Sequence, residues 1–348
     1  MSTSAAARTA RSAVRSSRGA SPVVCLAVRP SADEPGDAIT VGSVVKQHFA
    51  SMSDEVHGWL DEVGLVATAP LETIHERPWS TVLRVPTAEG DLYLKQEAPV
   101  QAYEVALTVA LASRWPDRVP EVVAADVERS WLLLRDGGTR IADAGTLEPF
   151  PRALTLYGVL QVGEVGHVDE LLSIGLPDIR LPVVAAAYEP FFERDHGLAS
   201  VEVARLRALA PRFRELCEEL GAFGLPASIH HDDLHQWNVF VRDGRVAIYD
   251  WGDSSVAHPL WSWIKAFDVA RDYKVDPEPF RAAYLSALTP LAPEKQLRAA
   301  LELAIPTGRF AYALQTRGQF DAMPEARAEY ETYLPKLLRE LLTLLEST

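Results

Sequence analysis

Two short apolar runs, Val239–Arg242 and Val246–Tyr249, are joined by Asp243-Gly244-Arg245 in a part of the chain whose pattern is otherwise helical. Asp-Gly between such runs is hairpin chemistry, because glycine enters the left-handed backbone region at no steric cost. An antiparallel hairpin closes its outer ends on each other. Asn238 and Asp250 therefore become neighbours at the open end, and Asp233 lies on the loop leading in. The flanks are the densest polar cluster of the chain: His230-His231-Asp232-Asp233-Leu234-His235-Gln236-Trp237-Asn238 before the hairpin, and Asp250-Trp251-Gly252-Asp253 after it. A carboxylate beside an amide oxygen is a hard-oxygen pair suited to Mg²⁺, which takes only one or two protein carboxylates and leaves the rest to water and phosphate.

Around this exception the chain divides by period. Leu71–Glu76, Ser80–Val85 and Asp91–Gln96 alternate as strands do, with a turn at Ala88-Glu89-Gly90, and predict an antiparallel meander. Gln101–Arg114 carries Tyr103, Leu107, Ala110 and Leu111 at helical spacing and stops before Pro116. The apolar runs Val119–Ala125 and Ser130–Leu134 follow and end at Asp136-Gly137-Gly138. Beyond that break the pattern predicts helices over Ala153–Glu164, Val201–Leu220, Pro279–Leu288, Lys295–Ile305 and Ala326–Leu345. Strands gathered before the Gly-Gly break and helices after it make an α+β chain. A length of 348 residues suits two lobes. The expected division is a disordered Ser/Ala/Arg tail over 1–50, a first lobe over 51–138 and a second over 139–348.

Composition bounds the function. With 48% hydrophobic and 24% charged residues the chain can bury a sizeable core. No uncharged apolar stretch reaches the roughly 18 residues a spanning helix needs, so no membrane segment is expected. The net charge is −14, although residues 1–32 contribute five arginines and no acid. A body this acidic repels a phosphate backbone, which argues against a nucleic-acid partner and tolerates cationic small molecules. Cys25 and Cys217 are the only cysteines, too few for a disulfide framework and in keeping with a reducing, cytoplasmic setting.

The segment His231-x-Asp233-x-x-x-x-Asn238, with Asp250 about a dozen residues on, resembles the catalytic loop and metal-binding Asp of the protein-kinase-like fold. Its wording, with Asp-Trp-Gly-Asp at 250–253, is similar to the aminoglycoside phosphotransferase and choline-kinase-type family. The resemblance spans about residues 70–345. It implies a two-lobed α+β fold, with an antiparallel sheet and one helix in the small lobe and a mainly helical large lobe carrying the catalytic hairpin. The activity it implies is phosphoryl transfer from ATP or GTP, with Mg²⁺, to a hydroxyl of a small-molecule acceptor, by a monomer or homodimer. Asp233 would be catalytic, Asn238 and Asp250 would hold the metal, and His231 would support the loop by bonding backbone near Asp250. Upstream the family requires a lysine on the third strand and a glutamate on the next helix, and Lys95 and Glu104 stand there. Ser80 and Thr81 would face the phosphates, and adenine would dock along Leu132–Gly138, at Leu134 and Asp136. One departure is plain: the first strand turn reads Arg77-Pro78-Trp79-Ser80-Thr81 with no glycine.

Singly, a lysine on a strand or a glutamate on a helix is a solvated charge; order and spacing give the pair its meaning. Trp237, Trp251, Trp261 and Trp263 are expected to pack the hairpin on the following helix, and His235 and Asp253 to line the site. Two rival readings are a catalytically silent nucleotide-binding relative and a His/Asp transition-metal hydrolase built on His230, His231 and His235.

Overall fold

The computed structural model describes residues 53–326 and 331–348, so the tail expected over 1–50 lies outside the described residues. Five antiparallel strands form the first sheet: β1 (Glu72–Glu76), β2 (Ser80–Thr87), β3 (Gly90–Glu97), β4 (Val122–Asp126) and β5 (Trp131–Arg135), in the order β1-β2-β3-β5-β4. The meander read from alternation is there, with each strand within two or three residues of its expected ends.

Alternation then decides which side chain faces where. On β3, Leu92 and Leu94 point to one face and are buried with Leu83, Val85, Trp131 and Leu133 under a helix over residues 53–62. That helix contributes Val56, Trp59 and Leu60, and the Trp59 ring meets Trp131 edge to face at 5.5 Å. Tyr93, Lys95 and Glu97 point to the other face, where α1 (Tyr103–Arg114) packs Val105 on Leu132 and Leu134. Full burial of each such leucine or valine stabilises by about 1.5–3 kcal/mol.

The second half is mostly helical: α2 (Phe150–Glu164), α3 (Leu181–Phe191), α4 (Ser200–Ala208), α5 (Ala210–Gly221), α6 (Trp263–Tyr273), α7 (Glu278–Ala287), α8 (Glu294–Ala322) and α9 (Tyr333–Ser347). Three expectations differ. The helix expected over Val201–Leu220 is two, because Pro211 brings no N–H to the first turn of α5 and the chain breaks at Leu209. The helix expected to stop at Ile305 runs through Pro306 to Ala322, since Thr307, Gly308, Arg309 and Phe310 remain buried beyond the proline. The last helix begins at Tyr333, with Pro324–Ala326 in a 3-10 turn. Among the described residues no helix is long and apolar enough to cross a membrane.

The expected hairpin is β9 (Val239–Arg242) with β10 (Arg245–Ile248), and β6 (Thr139–Arg140) pairs with β9 through Thr139↔Val241 and Arg140↔Phe240. A second three-stranded sheet, β7 (Asp178–Ile179), β11 (Ser255–Ala257) and β8 (Ser228–His230), holds the two polar flanks of the hairpin together, with Ser255 opposite His230.

Candidate active site

The catalytic segment is cradled from behind by α2. Tyr157 Oη accepts from the His231 N–H at 2.9 Å and meets Ser262 Oγ at 2.9 Å, while Gln161 Nε2 donates to the Ile229 carbonyl at 2.8 Å. His230 spends Nδ1 on Ser262 and Nε2 on Asp232 Oδ1, at 2.7 and 2.9 Å. His231 Nδ1 accepts from the Asp233 N–H at 3.3 Å, so the proton sits on Nε2, which donates to the Tyr249 carbonyl at 3.0 Å. Burial pulls the His231 pKa down to about 4, so this imidazole stays neutral. It is thus tied to the backbone beside Asp250, in the supporting place expected of it.

Asp232 and Asp250 both adopt left-handed backbone conformations, at φ 61° and 64°. Such conformations are costly for non-glycine residues and persist where surrounding contacts hold them. Here they bracket the site. The Tyr249 N–H bonds to the Asn238 carbonyl at 2.8 Å, which fixes the open end of the hairpin and brings Asn238 beside Asp250.

Asp233, Asn238 and Asp250 converge as the spacing predicts. Asn238 turns its amide nitrogen onto Asp233, 3.0 Å from the carbonyl oxygen and 3.1 Å from Oδ2. Its amide oxygen is therefore the end left for another partner. Asp250 gives Oδ1 to Lys95 Nζ at 2.7 Å, and its side chain is 38% exposed. Burial raises the Asp250 pKa, but the Lys95 ammonium outweighs it and holds the carboxyl below its usual range. An ionised carboxylate beside an available amide oxygen fits a hard divalent cation such as Mg²⁺.

Lys95 reaches this point from the sheet. Besides Asp250 it binds Glu104 Oε2 at 2.6 Å, and Glu104 Oε1 accepts from the Trp251 N–H at 2.9 Å. One glutamate on α1 therefore grips both the strand lysine and the residue after Asp250. Gly252 makes room for it, since a Cβ there would stand 2.6 Å from Glu104 Oε2. Burial would discharge the ammonium, but Asp250, Glu104 and Glu97 raise its pKa well above the usual lysine value.

The phosphate-side and base-side expectations are placed less simply. Ser80 is buried at the start of β2, and its N–H and carbonyl bond across the turn to the Arg77 carbonyl and N–H at 3.2 and 2.9 Å. Pro78 has no N–H to offer at this turn, and those of Arg77 and Ser80 are already spent on each other's carbonyls. Thr81 pairs opposite Gln96 on β3 and Glu76 on β1. Leu134 is buried against Val105. Asp136 caps the linker between sheet and helices, accepting from the Gly138 N–H at 3.0 Å while its carbonyl takes Arg242 Nη1 at 2.8 Å.

Sequence reasoning missed two groups that touch these residues. Glu97, two residues after Lys95 on the same strand face, is fully buried with Oε1 2.9 Å from Lys95 Nζ. Burial and the neighbouring Glu104 carboxylate push its pKa well up. Lys265 on α6 donates to Asp233 Oδ1 at 3.1 Å and to Tyr312 Oη at 2.5 Å. Lys265 is the single Asp, Glu, Lys or Arg between residues 254 and 267, a pattern that marks it as unusual but names no partner for it. Asp253 faces the cluster, with Oδ1 held by Gln101 and Gln319 at 2.7 and 2.6 Å. The three histidines of the hydrolase reading diverge, and among the described residues no three His, Cys, Asp or Glu side chains gather as a metal-ligating group.

Residues 79–303, which include Lys95, Glu104, Asp233, Asn238, Asp250 and Lys265, match the family model described as the phosphotransferase enzyme family. The chain belongs to that family. No curated protein sequence matches this phosphotransferase. Among solved structures, the choline kinase LicA from Streptococcus pneumoniae is similar at 14% identity and a TM-score of 0.57, over 86% of this chain and 100% of that one. A choline/ethanolamine kinase family protein from Mesorhizobium loti is similar at 19% identity and a TM-score of 0.51, over 81% and 94%. The GDP and kanamycin complex of APH(2")-IIia is similar at 13% identity and a TM-score of 0.54, over 86% and 98%. These likenesses establish the fold: two-lobed and protein-kinase-like, with the sheet and α1 in the small lobe and the hairpin in the helical one.

Proposed function

We propose that this phosphotransferase moves the γ-phosphoryl group of ATP or GTP to a hydroxyl of a small-molecule acceptor, such as an aminoglycoside-like compound, an amino alcohol or a sugar. The observation that carries the reading is the Lys95 ammonium, which joins Glu104 on the sheet side to Asp250 on the hairpin. The GDP bound in the similar structure supports a nucleotide in this cleft.

In this reading residues 51–138 and 139–348 close on the nucleotide from two sides. Lys95, steadied by Glu104, binds its phosphates, and the base lies along Leu132–Gly138. Asn238 and Asp250 would hold Mg²⁺, which would offset the negative charge of the phosphates. Asp233 accepts a hydrogen bond from the acceptor hydroxyl and points its oxygen at the phosphorus. The acceptor oxygen forms the new O–P bond, the bridging bond to the β-phosphate breaks with its electron pair left on the departing diphosphate, and the hydroxyl proton passes to Asp233 and on to solvent. His235 and Lys265 outweigh the effect of burial and hold the Asp233 carboxyl well below the usual range. Asp233 is accordingly a weak base, better suited to orienting the hydroxyl than to deprotonating it beforehand.

The test is turnover of ATP and GTP with Mg²⁺ across aminoglycosides, choline-like amino alcohols, sugars and nucleosides, with Asp233→Ala as control. Acceptor-stimulated turnover lost in the variant is the expected result. A nucleotide that fails to bind at all would overturn the assignment of Lys95 and Glu104.

A further inference from the structure

Asp233 carries a second set of contacts that the transfer reading above does not use. A carboxylate offers about four lone-pair directions, two on each oxygen. Asn238 Nδ2 bonds Oδ2 at 3.1 Å, and His235 Nε2 faces the same oxygen from 3.2 Å, though poorly aligned. The Trp237 N–H bonds to His235 Nδ1 at 3.3 Å, which leaves the proton on the nitrogen facing Asp233. Oδ2 thus has one hydrogen bond, with the His235 imidazole crowding it from 3.2 Å. Oδ1 takes the Lys265 ammonium at 3.1 Å and has one direction left. An acceptor hydroxyl that bonds to Oδ1 shares that oxygen with Lys265, which puts the ammonium about 5 Å from the reacting oxygen if both bonds are near 3 Å.

Lys265 is poorly explained as a structural residue. Its side chain is 9% exposed, and taking an ammonium out of water is expensive unless its partners are good. It sits in the first turn of α6, where the helix dipole opposes a cation and no acidic residue of that turn offsets it. Its position is fixed from a distant element. Tyr312 on α8 accepts its second hydrogen bond and also presents its ring, with the centroid 4.2 Å from Nζ. Tyr312 Oη in turn meets Tyr333 Oη on α9 at 2.6 Å. Two helices remote in sequence from the catalytic loop, α8 and α9, therefore anchor a cation on one oxygen of one aspartate.

We propose that Lys265, held by Tyr312, is a positioning residue for phosphoryl transfer: it fixes the Asp233 carboxylate so that a single Oδ1 direction is presented to the acceptor hydroxyl. The proposal rests on the reading of Asp233 as the hydroxyl-binding carboxylate. It assigns Lys265 to the transfer step and not to nucleotide binding, which Lys95 and Glu104 serve on the other side of the cleft.

The experiment is a mutant cycle of Lys265→Met and Asp233→Asn. It uses the full chain, the acceptor identified by the panel above, and water as acceptor where none is added. Lys265→Met should lower kcat by roughly 10- to 100-fold while the nucleotide dissociation constant, read by fluorescence, stays within about twofold. In the Asp233→Asn background the same substitution should cost nothing further, because Lys265 acts through Asp233. Small primary alkylammonium ions should restore part of the activity of Lys265→Ala. Tyr312→Phe, which keeps the ring and removes only the hydroxyl, should show a smaller loss of kcat with the same split, and covers the case that the lysine variants do not fold. Full kcat in Lys265→Met or Tyr312→Phe, or losses that multiply across the cycle, would overturn the proposal. Undiminished kcat in Asp233→Asn alone, rather than a low residual rate, would instead overturn the reading of Asp233 beneath it.

Discussion

At the scale of single residues, the site is set by how closely groups approach. Gly252 follows Trp251, whose N–H holds one oxygen of Glu104, and a Cβ at 252 would stand 2.6 Å from the other. Gly252→Ala should therefore push Glu104 off Lys95 without unfolding the protein, raising the nucleotide KM several-fold; unchanged steady-state kinetics would show that the grip does not matter. Asp253 gives a pH signature. Burial, with Asp233, Asp250 and Asp232 nearby, raises its pKa from 3.8 to about 8, so the fold favours its protonated form. Stability from this group is full below the unfolded value and is lost as pH rises through the folded one. The Tm advantage of the wild type over Asp253→Asn should then shrink between about pH 4 and about pH 8, measured by thermal melts, and a constant difference would contradict the shift. These residues were unequally legible in the sequence. Asp233, Asn238 and Asp250 could be read because a short hairpin leaves its ends nowhere else to go. Lys95 and Glu104 could be read because the family resemblance asks for a lysine on the third strand and a glutamate on the next helix, and the strand and helix periods had already placed those elements. Lys265 and Glu97 could not, because their partners lie 32 residues away across the fold and in a carboxylate cluster that only packing assembles.

At the scale of elements, the linker between the lobes depends on one backbone shape. Gly138 adopts φ +89°, and a Cβ there would meet the Val241 carbonyl oxygen at 2.5 Å. It lies next to the Thr139↔Val241 pair that lashes the linker to the hairpin. Gly138→Ala sets a methyl group against a backbone oxygen that cannot swing away, in a conformation that already costs an alanine about 1–2 kcal/mol. The variant should lose a few kcal/mol of stability in denaturant melts, whereas Gly90→Ala, with open space around its Cβ, should lose about 1–2 kcal/mol. The long amphipathic and alternating segments were legible because their periods integrate over many residues. Strands of two or three residues, such as Asp178–Ile179, Ser228–His230 and Ser255–Ala257, carry no period to read. The path of α8 through Pro306 was hidden for another reason. Local propensity argues for a stop there, and burial of Thr307, Arg309 and Phe310 against the rest of the helical lobe overrides it.

At the scale of the whole molecule, the two lobes meet through charge. Lys95 and Asp250 are 155 positions apart in the chain and 2.7 Å apart in space, and around that ammonium stand three carboxylates, Glu97, Glu104 and Asp250. The cluster is short of positive charge. In the proposed reading a nucleotide alone would add phosphate charge to this excess, whereas a divalent cation entering with it at Asn238 and Asp250 would supply what is missing. Ligands that bind only the folded state raise its stability by an amount set by their concentration over Kd. The nucleotide should therefore raise Tm strongly in the presence of Mg²⁺ and weakly once EDTA has removed it. In Asp250→Asn the neutral amide keeps the shape of the carboxylate but not its charge. Its Tm should respond to nucleotide to the same small extent with and without Mg²⁺, because the anionic oxygen that favours the cation is gone and Lys95 is freed for the phosphates. A Mg²⁺-dependent shift as large in Asp250→Asn as in the wild type would place the metal elsewhere, and would leave the Lys95–Asp250 contact as a purely structural tie between the lobes.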